Sequence, residues 1–229
     1  MNRYAVIGGN FPREFILLQG TGCRWRQCTF CDYHEDASAN PFETNMHVLE
    51  QVSGQYGVLD IINSGSAMEL DPATIGAIRD IVHDKGIHTL WFEAHYMYRH
   101  RLEDFAAQFH PARVKFRCGV ETFDASLRER WRKGIAREVS AQDVARYFQG
   151  VCLLCCTDSQ EDTMERLMQD INLAEQYFEY YSVNLFCANG TDVQRNHNMA
   201  ERFMTEVMPQ LQASSKAEVL VNNNDLGVG

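Results

Sequence analysis

The sequence predicts an α/β fold of one domain over residues 1–229, an incomplete (β/α)6-type TIM barrel of mostly parallel strands. Short apolar runs rich in β-branched residues alternate with segments in which apolar residues recur at helical spacing. Strand, helix and strand in succession indicate right-handed βαβ units and a parallel sheet. The chain has no glycine-rich dinucleotide loop and no linker-like stretch, which favours a barrel of one domain.

Each predicted strand is a short apolar run, and each predicted helix has its own end signals. The strands are expected at 15–19, 58–64, 88–94, 114–120, 151–157, 181–187 and 218–222. The helix predicted at 71–86 begins with Asp71 as N-cap and Pro72 at its first position, and it ends at Gly86. A second helix is predicted at 161–178. In such a barrel the reactive residues lie after the carboxyl ends of the strands.

Composition and charge exclude several classes of function. Hydrophobic residues make up 45% of the 229-residue chain, which is typical of a globular enzyme and not of a disordered one. The net charge of −10 disfavours binding to a long nucleic acid, which depends on many Lys and Arg contacts to phosphates. No secretory signal and no membrane-spanning apolar run is visible. We therefore expect a cytoplasmic protein with reduced cysteines, no membrane and a small-molecule substrate.

Three of the eight cysteines, Cys23, Cys28 and Cys31, form a C-x4-C-x2-C motif. Three thiols this close cannot all pair as disulfides, so a soft metal or an iron–sulfur cluster is the better interpretation. A zinc staple with His34 as the fourth ligand is the alternative, and it would make the chain a binding module. The other five cysteines lie in apolar runs and are expected in the core: Cys118, Cys152, Cys155, Cys156 and Cys187.

The motif "CRWRQCTFC", with an aromatic residue before its last cysteine, resembles the cluster loop of the radical S-adenosylmethionine (SAM) superfamily. The commonest spacing there is C-x3-C-x2-C, so this loop has one residue more. The resemblance continues in "NSGSAMEL" after the second predicted strand and in "CGVETFDASLRERWRKGI" at the fourth. It also covers "LLCCTDSQEDTMERLMQDI", where cysteines and Thr157 replace the usual glycines.

The resemblance implies the cofactors and the residues that bind them. Cys23, Cys28 and Cys31 would hold a [4Fe-4S] cluster whose fourth iron is left open for SAM. An electron donor such as flavodoxin or ferredoxin would reduce the cluster, and a 5′-deoxyadenosyl radical would abstract hydrogen from the substrate. Other residues expected to contact SAM follow strands or adjoin the cluster: Phe30, Ser64, Gly65, Ser66, Glu121 and Lys133.

Four segments resemble a smaller family, the lyases of queuosine salvage: "PREFILLQGTGC", "CDYH", "GVETFD" and "NNNDLGVG". The resemblance implies release of queuine from queuosine 5′-phosphate by cleavage of a carbon–nitrogen glycosidic bond. Amides and carboxylates near strand ends can pair with the polar edge of a purine-like base. The candidates for binding that base are Asn63, Asn184, Asn222, Asn224 and Asp225, and the catalytic candidates are Glu93 and His95.

Two points about the substrate stay open. The 5′-phosphate would be held by the basic segment "RERWRKG" or by Arg99 and Arg101. The alternative substrate within the same chemistry is another small deazapurine, a nucleoside, a peptide or a tRNA base.

Overall fold

The computed structural model describes residues 1–229, and its eight strands form one sheet in chain order. β1 pairs antiparallel with β2, whereas β2 with β3, β3 with β4, and each neighbouring pair from β5 to β8 are parallel. The strands are β1 Tyr4–Ile7, β2 Arg13–Leu18, β3 Val58–Asn63, β4 Thr89–Ala94, β5 Arg113–Glu121, β6 Gly150–Cys155, β7 Tyr180–Leu185 and β8 Ala217–Leu220.

Helices fill each of the six connections between successive strands from β2 to β8. The α-helices are α1 Phe42–Leu49, α2 Pro72–Asp84, α3 Leu102–Ala106, α4 Ala125–Arg130, α5 Ala141–Ala145, α6 Met164–Tyr177, α7 His197–Glu206 and α8 Met208–Leu211. Short 3-10 helices lie at Tyr33–Asp36, Ala67–Glu69, Tyr96–Arg101 and Ala107–Phe109. The predicted fold class, an incomplete (β/α)6-type barrel, is confirmed.

The local signals in the sequence act as expected. The Asp71 carboxylate accepts hydrogen bonds from the amides of Ala73 and Thr74, so it caps α2 as predicted. Gly86 follows α2 with a φ of +64°, a conformation that glycine adopts without strain. The strand β1 was not predicted, and it adds an antiparallel edge to the sheet.

Contacts between residues divide the chain into two compact units. Unit 1 contains Met1–Arg26, Tyr33–Phe116 and Asn224–Gly229, and unit 2 contains Gln27–Asp32 and Arg117–Asn223. Each unit has its own buried apolar residues, such as Ile61 and Phe92 in unit 1 and Val151 and Val183 in unit 2. The description of residues 1–229 as one radical SAM core domain stays a prediction. None of the helices has the length and apolarity that crossing a bilayer requires.

The prediction that five cysteines lie in the core is confirmed for four of them. Cys118, Cys152, Cys155 and Cys156 are buried, as their apolar surroundings in the sequence predict. Cys187 is half-exposed, so the core prediction is wrong for it. It lies two residues beyond the end of β7, where its thiol contacts the Val221 carbonyl oxygen at 3.5 Å.

Candidate active site

Apart from Lys133, which follows α4, the predicted site residues lie at the carboxyl ends of strands or in the segments that follow them, as the barrel interpretation requires. The loop that carries Cys23, Cys28 and Cys31, here called the cysteine loop, follows β2. The Ser64–Ser66 turn follows β3, and His95 follows β4 directly. Glu93 and Glu121 lie within the last two residues of β4 and β5, and Asn184 lies within β7.

The Ser64–Ser66 turn binds two neighbouring segments of unit 1 through its side chains. Ser64 Oγ accepts a hydrogen bond from the Gly20 amide at 2.8 Å, at the entry to the cysteine loop. Ser66 Oγ accepts one from the His95 amide at 3.0 Å. Each hydroxyl keeps its own hydrogen, so both serines retain a donor for a ligand.

Gly65 approaches the cysteine loop so closely that a Cβ would fit only if its neighbours shifted. A Cβ there would overlap the Glu69 carboxylate and would lie 3.2 Å from Gly22 O and 3.3 Å from Cys23 Cα. The sequence-based expectation that this glycine allows close backbone approach is therefore supported by the structure. Asn63, a predicted substrate contact, is buried and donates to Ser66 O at 3.2 Å, so it supports the turn.

His95 connects the turn to the cysteine loop. Its ring stacks on Trp25 with 5.6 Å between the ring centroids and an interplanar angle of 18°. Its Nδ1 accepts a hydrogen bond from the Met97 amide at 3.1 Å, so in the neutral ring the proton is on Nε2. The half-buried Glu93 lies on the same face of β4 as Trp91.

In unit 2, Phe30 belongs to an apolar cluster. It is buried with Leu127, Trp131, Leu154 and Phe186, and Cys28 and Cys31 pack against the same cluster. The Phe30 and Trp131 rings meet edge to face, with centroids 5.4 Å apart. This packing gives the cysteine loop a rigid aromatic anchor.

Backbone contacts of unit 2 hold the same segment. The Thr29 amide donates to Trp131 O at 3.1 Å, and the Asn189 side chain donates to Phe30 O at 2.8 Å. The Gly190 amide donates to Asp32 Oδ2 at 2.8 Å. Asn189 thus fastens the loop that carries Cys28 and Cys31.

Glu121 and Lys133 form a buried ion pair with 2.9 Å between Oε1 and Nζ. Burial disfavours the charge of Lys133, but attraction to Glu121 and to Cys28 prevails and raises the lysine pKa above its ordinary value. The ammonium lies 5.6 Å from the Phe30 ring centroid. Glu121 has a φ of +65°, which is strained for a residue with a side chain.

The three cysteines of the motif are half-exposed and form no disulfide, as ligand thiols require. The Arg26 amide donates to Cys23 Sγ at 3.4 Å, and hydrogen bonds to sulfur are one means by which proteins tune clusters. No three His, Cys, Asp or Glu side chains are grouped as a ready metal site in the structure. The ligand assignment of Cys23, Cys28 and Cys31 therefore depends on their type and spacing.

The remaining predicted substrate residues have different surroundings. The Oδ1 atom of Asn184 is buried and has no hydrogen-bond partner. Asn222, Asn224 and Asp225 are exposed in the turns after β8. The preceding residue, Val221, is held through its carbonyl oxygen by Arg195 at 3.2 Å.

The basic segment "RERWRKG" is largely engaged within the protein. Arg128 is buried and donates to the carbonyl oxygens of Ala136, Arg137 and Val139. Arg130 forms an ion pair with Glu161. Arg99 and Arg101 lie over the rings of Tyr96 and Tyr98, at 4.7 Å and 5.6 Å.

Comparisons with known proteins identify the family. No family model matches the chain, and no curated protein matches it. Among solved structures, a queuine lyase from Clostridium spiroforme bound to SAM and queuine is 33% identical, with a TM-score of 0.94 over 100% of this chain and 99% of that one. SuiB from Streptococcus suis bound to SAM is 14% identical with a TM-score of 0.56, over 93% of this chain and 48% of that one, and shows the fold alone. The chain belongs to the queuine lyase family of radical SAM enzymes.

Proposed function

We propose that this radical SAM enzyme releases queuine from queuosine 5′-phosphate by cleaving its carbon–nitrogen glycosidic bond. The observation that carries the proposal is similarity over the whole chain, at 33% identity and a TM-score of 0.94, to a queuine lyase bound to SAM and queuine. A small nucleotide substrate also agrees with a chain whose net charge is −10.

Cys23, Cys28 and Cys31 would hold a [4Fe-4S] cluster, with SAM at its open iron. When bound, the two cofactors supply the 5′-deoxyadenosyl radical that takes a hydrogen atom from the substrate. The donor set fits, because three half-exposed thiols outside disulfides suit iron–sulfur ligation. We expect flavodoxin or ferredoxin as the electron donor, and a reducing cytoplasm as the place of action.

The protein's own residues would bind and orient SAM. The hydroxyls of Ser64 and Ser66 have hydrogens to donate to the methionyl carboxylate, and Gly65 lets that group approach the backbone. Phe30, fixed edge-on by Trp131, would lie beside the adenine. The Glu121–Lys133 pair would contact the ribose or the methionyl end, with its charges fixed by mutual attraction.

Asn184 is the best supported substrate contact. A buried acceptor without a donor costs about 1–3 kcal/mol, and an N–H on the edge of a deazaguanine base would offset that cost. Asn222, Asn224 and Asp225 offer further amides and a carboxylate after β8. Glu93 can accept a proton or a hydrogen bond, and His95 can donate from Nε2.

The test is anaerobic turnover with reductant, SAM and queuosine 5′-phosphate, followed by chromatography. Free queuine together with 5′-deoxyadenosine is the expected result, and a variant with Cys28 replaced by Ala should form neither. Absence of both products with the intact enzyme would refute the proposal. Formation of 5′-deoxyadenosine only with another deazapurine nucleotide or nucleoside would replace the substrate but keep the chemistry.

A further inference from the structure

Glu69 brings together three separate segments of unit 1. Its Oε2 accepts a hydrogen bond from the Ser66 amide at 2.7 Å. Its Oε1 accepts one from the Arg24 amide at 2.9 Å and one from the Tyr98 hydroxyl at 2.7 Å. One half-buried carboxylate therefore joins the turn after β3, the cysteine loop after β2 and the 3-10 helix after β4.

We propose that Glu69 is a positioning residue that holds the Ser64–Ser66 turn against the cysteine loop and thereby sets the affinity for SAM. The inference depends on the proposed function, because it assigns SAM to this turn. Glu69 itself is not proposed to contact the reacting atoms.

The local geometry leaves little freedom for another arrangement. The backbone carbonyl of Glu69 accepts from the Thr21 amide at 3.3 Å and from the Thr21 hydroxyl at 3.1 Å, so the residue holds the loop at two points. The carboxylate also fills the space beside Gly65 that a Cβ would need. A shift of Glu69 would therefore move both the turn and the residue that follows Cys23.

Tyr98 also holds the carboxylate in place. It is buried, and burial together with Glu69 raises the pKa of its hydroxyl to about 12, so the hydroxyl stays a donor at neutral pH. Hydrogen bonds to an ionised acceptor are stronger than those between neutral groups, and three of them act on this carboxylate.

A purely structural role is the competing explanation, because Glu69 also completes a capping box with Ser66 at the 3-10 helix Ala67–Glu69. The chain contains a matched control for that role. Asp143 completes a capping box with Ser140 at α5, accepting from the Ser140 amide at 3.1 Å and from its hydroxyl at 2.6 Å. Asp143 has been assigned no part in binding or catalysis.

The test compares Glu69→Gln with Asp143→Asn in reductive cleavage of SAM without a nucleotide substrate. Both oxygens of Glu69 face donors, so a glutamine amide must direct its own N–H groups at one of them. For Glu69→Gln we expect the KM for SAM to be about tenfold higher than in wild type. This is the lower end of the losses in affinity that are typical when a residue supporting a ligand is removed. Iron and sulfide content should stay at the wild-type level, and Asp143→Asn should behave as wild type.

Electron paramagnetic resonance of the reduced cluster provides a readout that a general loss of stability would not move. The spectral change on adding SAM should need about tenfold more SAM in Glu69→Gln than in wild type. The proposal would be overturned if Glu69→Gln had the wild-type KM for SAM and the wild-type SAM titration. It would also be overturned if Asp143→Asn had an equal effect. Since this assay needs no queuosine 5′-phosphate, its result is independent of the substrate assignment.

A second variant tests the proposal if Glu69→Gln loses its cluster. Tyr98→Phe removes one donor and leaves the carboxylate in place. Its KM for SAM should rise by a smaller factor, about threefold, with the cluster retained, because two of the three hydrogen bonds to the carboxylate remain. A wild-type KM in Tyr98→Phe would then overturn the proposal.

Discussion

Gly65 lies where the turn after β3 meets the cysteine loop, and the space for a Cβ is already occupied. Gly65→Ala should displace Glu69 or move the loop at Gly22 and Cys23, whose nearest atoms lie 3.2 Å and 3.3 Å from that Cβ. We expect reductive cleavage of SAM to slow by at least about tenfold, because a small misplacement of bound groups has large effects on rate. The rate of 5′-deoxyadenosine formation measures this cleavage.

Gly76 in α2 is the matched control for this substitution. A Cβ at Gly76 meets only the end of the Arg79 side chain, at 3.8 Å. Gly76→Ala should keep full activity and gain about 1 kcal/mol of stability, because alanine favours a helix over glycine. Equal activity in the Gly65 and Gly76 variants would contradict the close-approach argument.

The Glu121–Lys133 pair allows a second prediction for single residues. Lys133→Met leaves the buried Glu121 carboxylate without its cation, which should lower the free energy of unfolding by about 3–5 kcal/mol. The double variant Glu121→Gln, Lys133→Met should be more stable than Lys133→Met, because it removes the uncompensated charge. Urea unfolding of wild type, Lys133→Met, Glu121→Gln and the double variant measures both effects.

The pH dependence of this pair follows from the raised pKa of Lys133, where burial acts against the charge but Glu121 and Cys28 outweigh it. A raised lysine pKa contributes stability that is fully present below the unfolded value, about 10.4, and is lost only as pH rises through the folded value. The difference between wild type and the double variant Glu121→Gln, Lys133→Met, which has no titrating group at the pair, should therefore be the same at pH 6 and pH 9. A difference that shrinks between these values would show that Lys133 loses its proton in that range.

At the scale of elements, α6 fixes the loops that follow β5 and β6. The buried Arg166 forms ion pairs with Asp170 on its own helix and with Asp162 in the loop before it, and it donates to Leu154 O. Asp162 accepts from the Thr157 amide at 2.7 Å, and Asp170 accepts from the Phe123 amide at 2.9 Å. One guanidinium thus orders two carboxylates that each hold a strand-end loop.

Arg166→Met should lower the free energy of unfolding by about 3–5 kcal/mol, because it leaves two carboxylates buried without their cation. Arg202→Met on α7 is the control, since Arg202 forms an i,i+4 pair with Glu206 but 59% of its side chain is exposed. That change should leave the free energy of unfolding close to the wild-type value. Similar losses in the two variants, measured by urea unfolding, would refute the argument from burial.

The elements that the sequence predicted are those with a strong local pattern. All seven predicted strands are present, and α2 has the predicted cap, because apolar runs and capping residues act within a few positions. The four-residue β1 was missed, since its stability comes from pairing with β2 and not from a long apolar run.

Within the site, residue types and strand-end positions were predictable, but contacts over long sequence distances were not. Glu69 has no motif of its own, and its role appears only when Arg24 and Tyr98 are brought to it by the fold. An amide after a strand, such as Asn189 after β7, has the same appearance in sequence whether it contacts a substrate or the protein itself. In the structure, the side-chain amide of Asn189 donates a hydrogen bond to Phe30 O.

At the scale of the whole molecule, charge limits the partners. The chain has 31 Asp and Glu residues against 21 Lys and Arg residues, a net charge of −10. Several of those cations already neutralise carboxylates within the protein, among them Arg3, Arg13, Arg130, Lys133 and Arg166. They are therefore less available for the phosphates of a long nucleic acid.

We expect the enzyme to distinguish a free nucleotide from the same base within tRNA. Binding of a polyanion gains from released counterions only where many cations meet phosphates, and an acidic chain repels the polymer instead. In anaerobic turnover at low salt, unlabelled queuosine-containing tRNA in excess should neither yield queuine nor slow its release from queuosine 5′-phosphate. Inhibition that weakens steeply with added salt would reveal a basic surface strong enough to bind RNA and would contradict the argument from net charge.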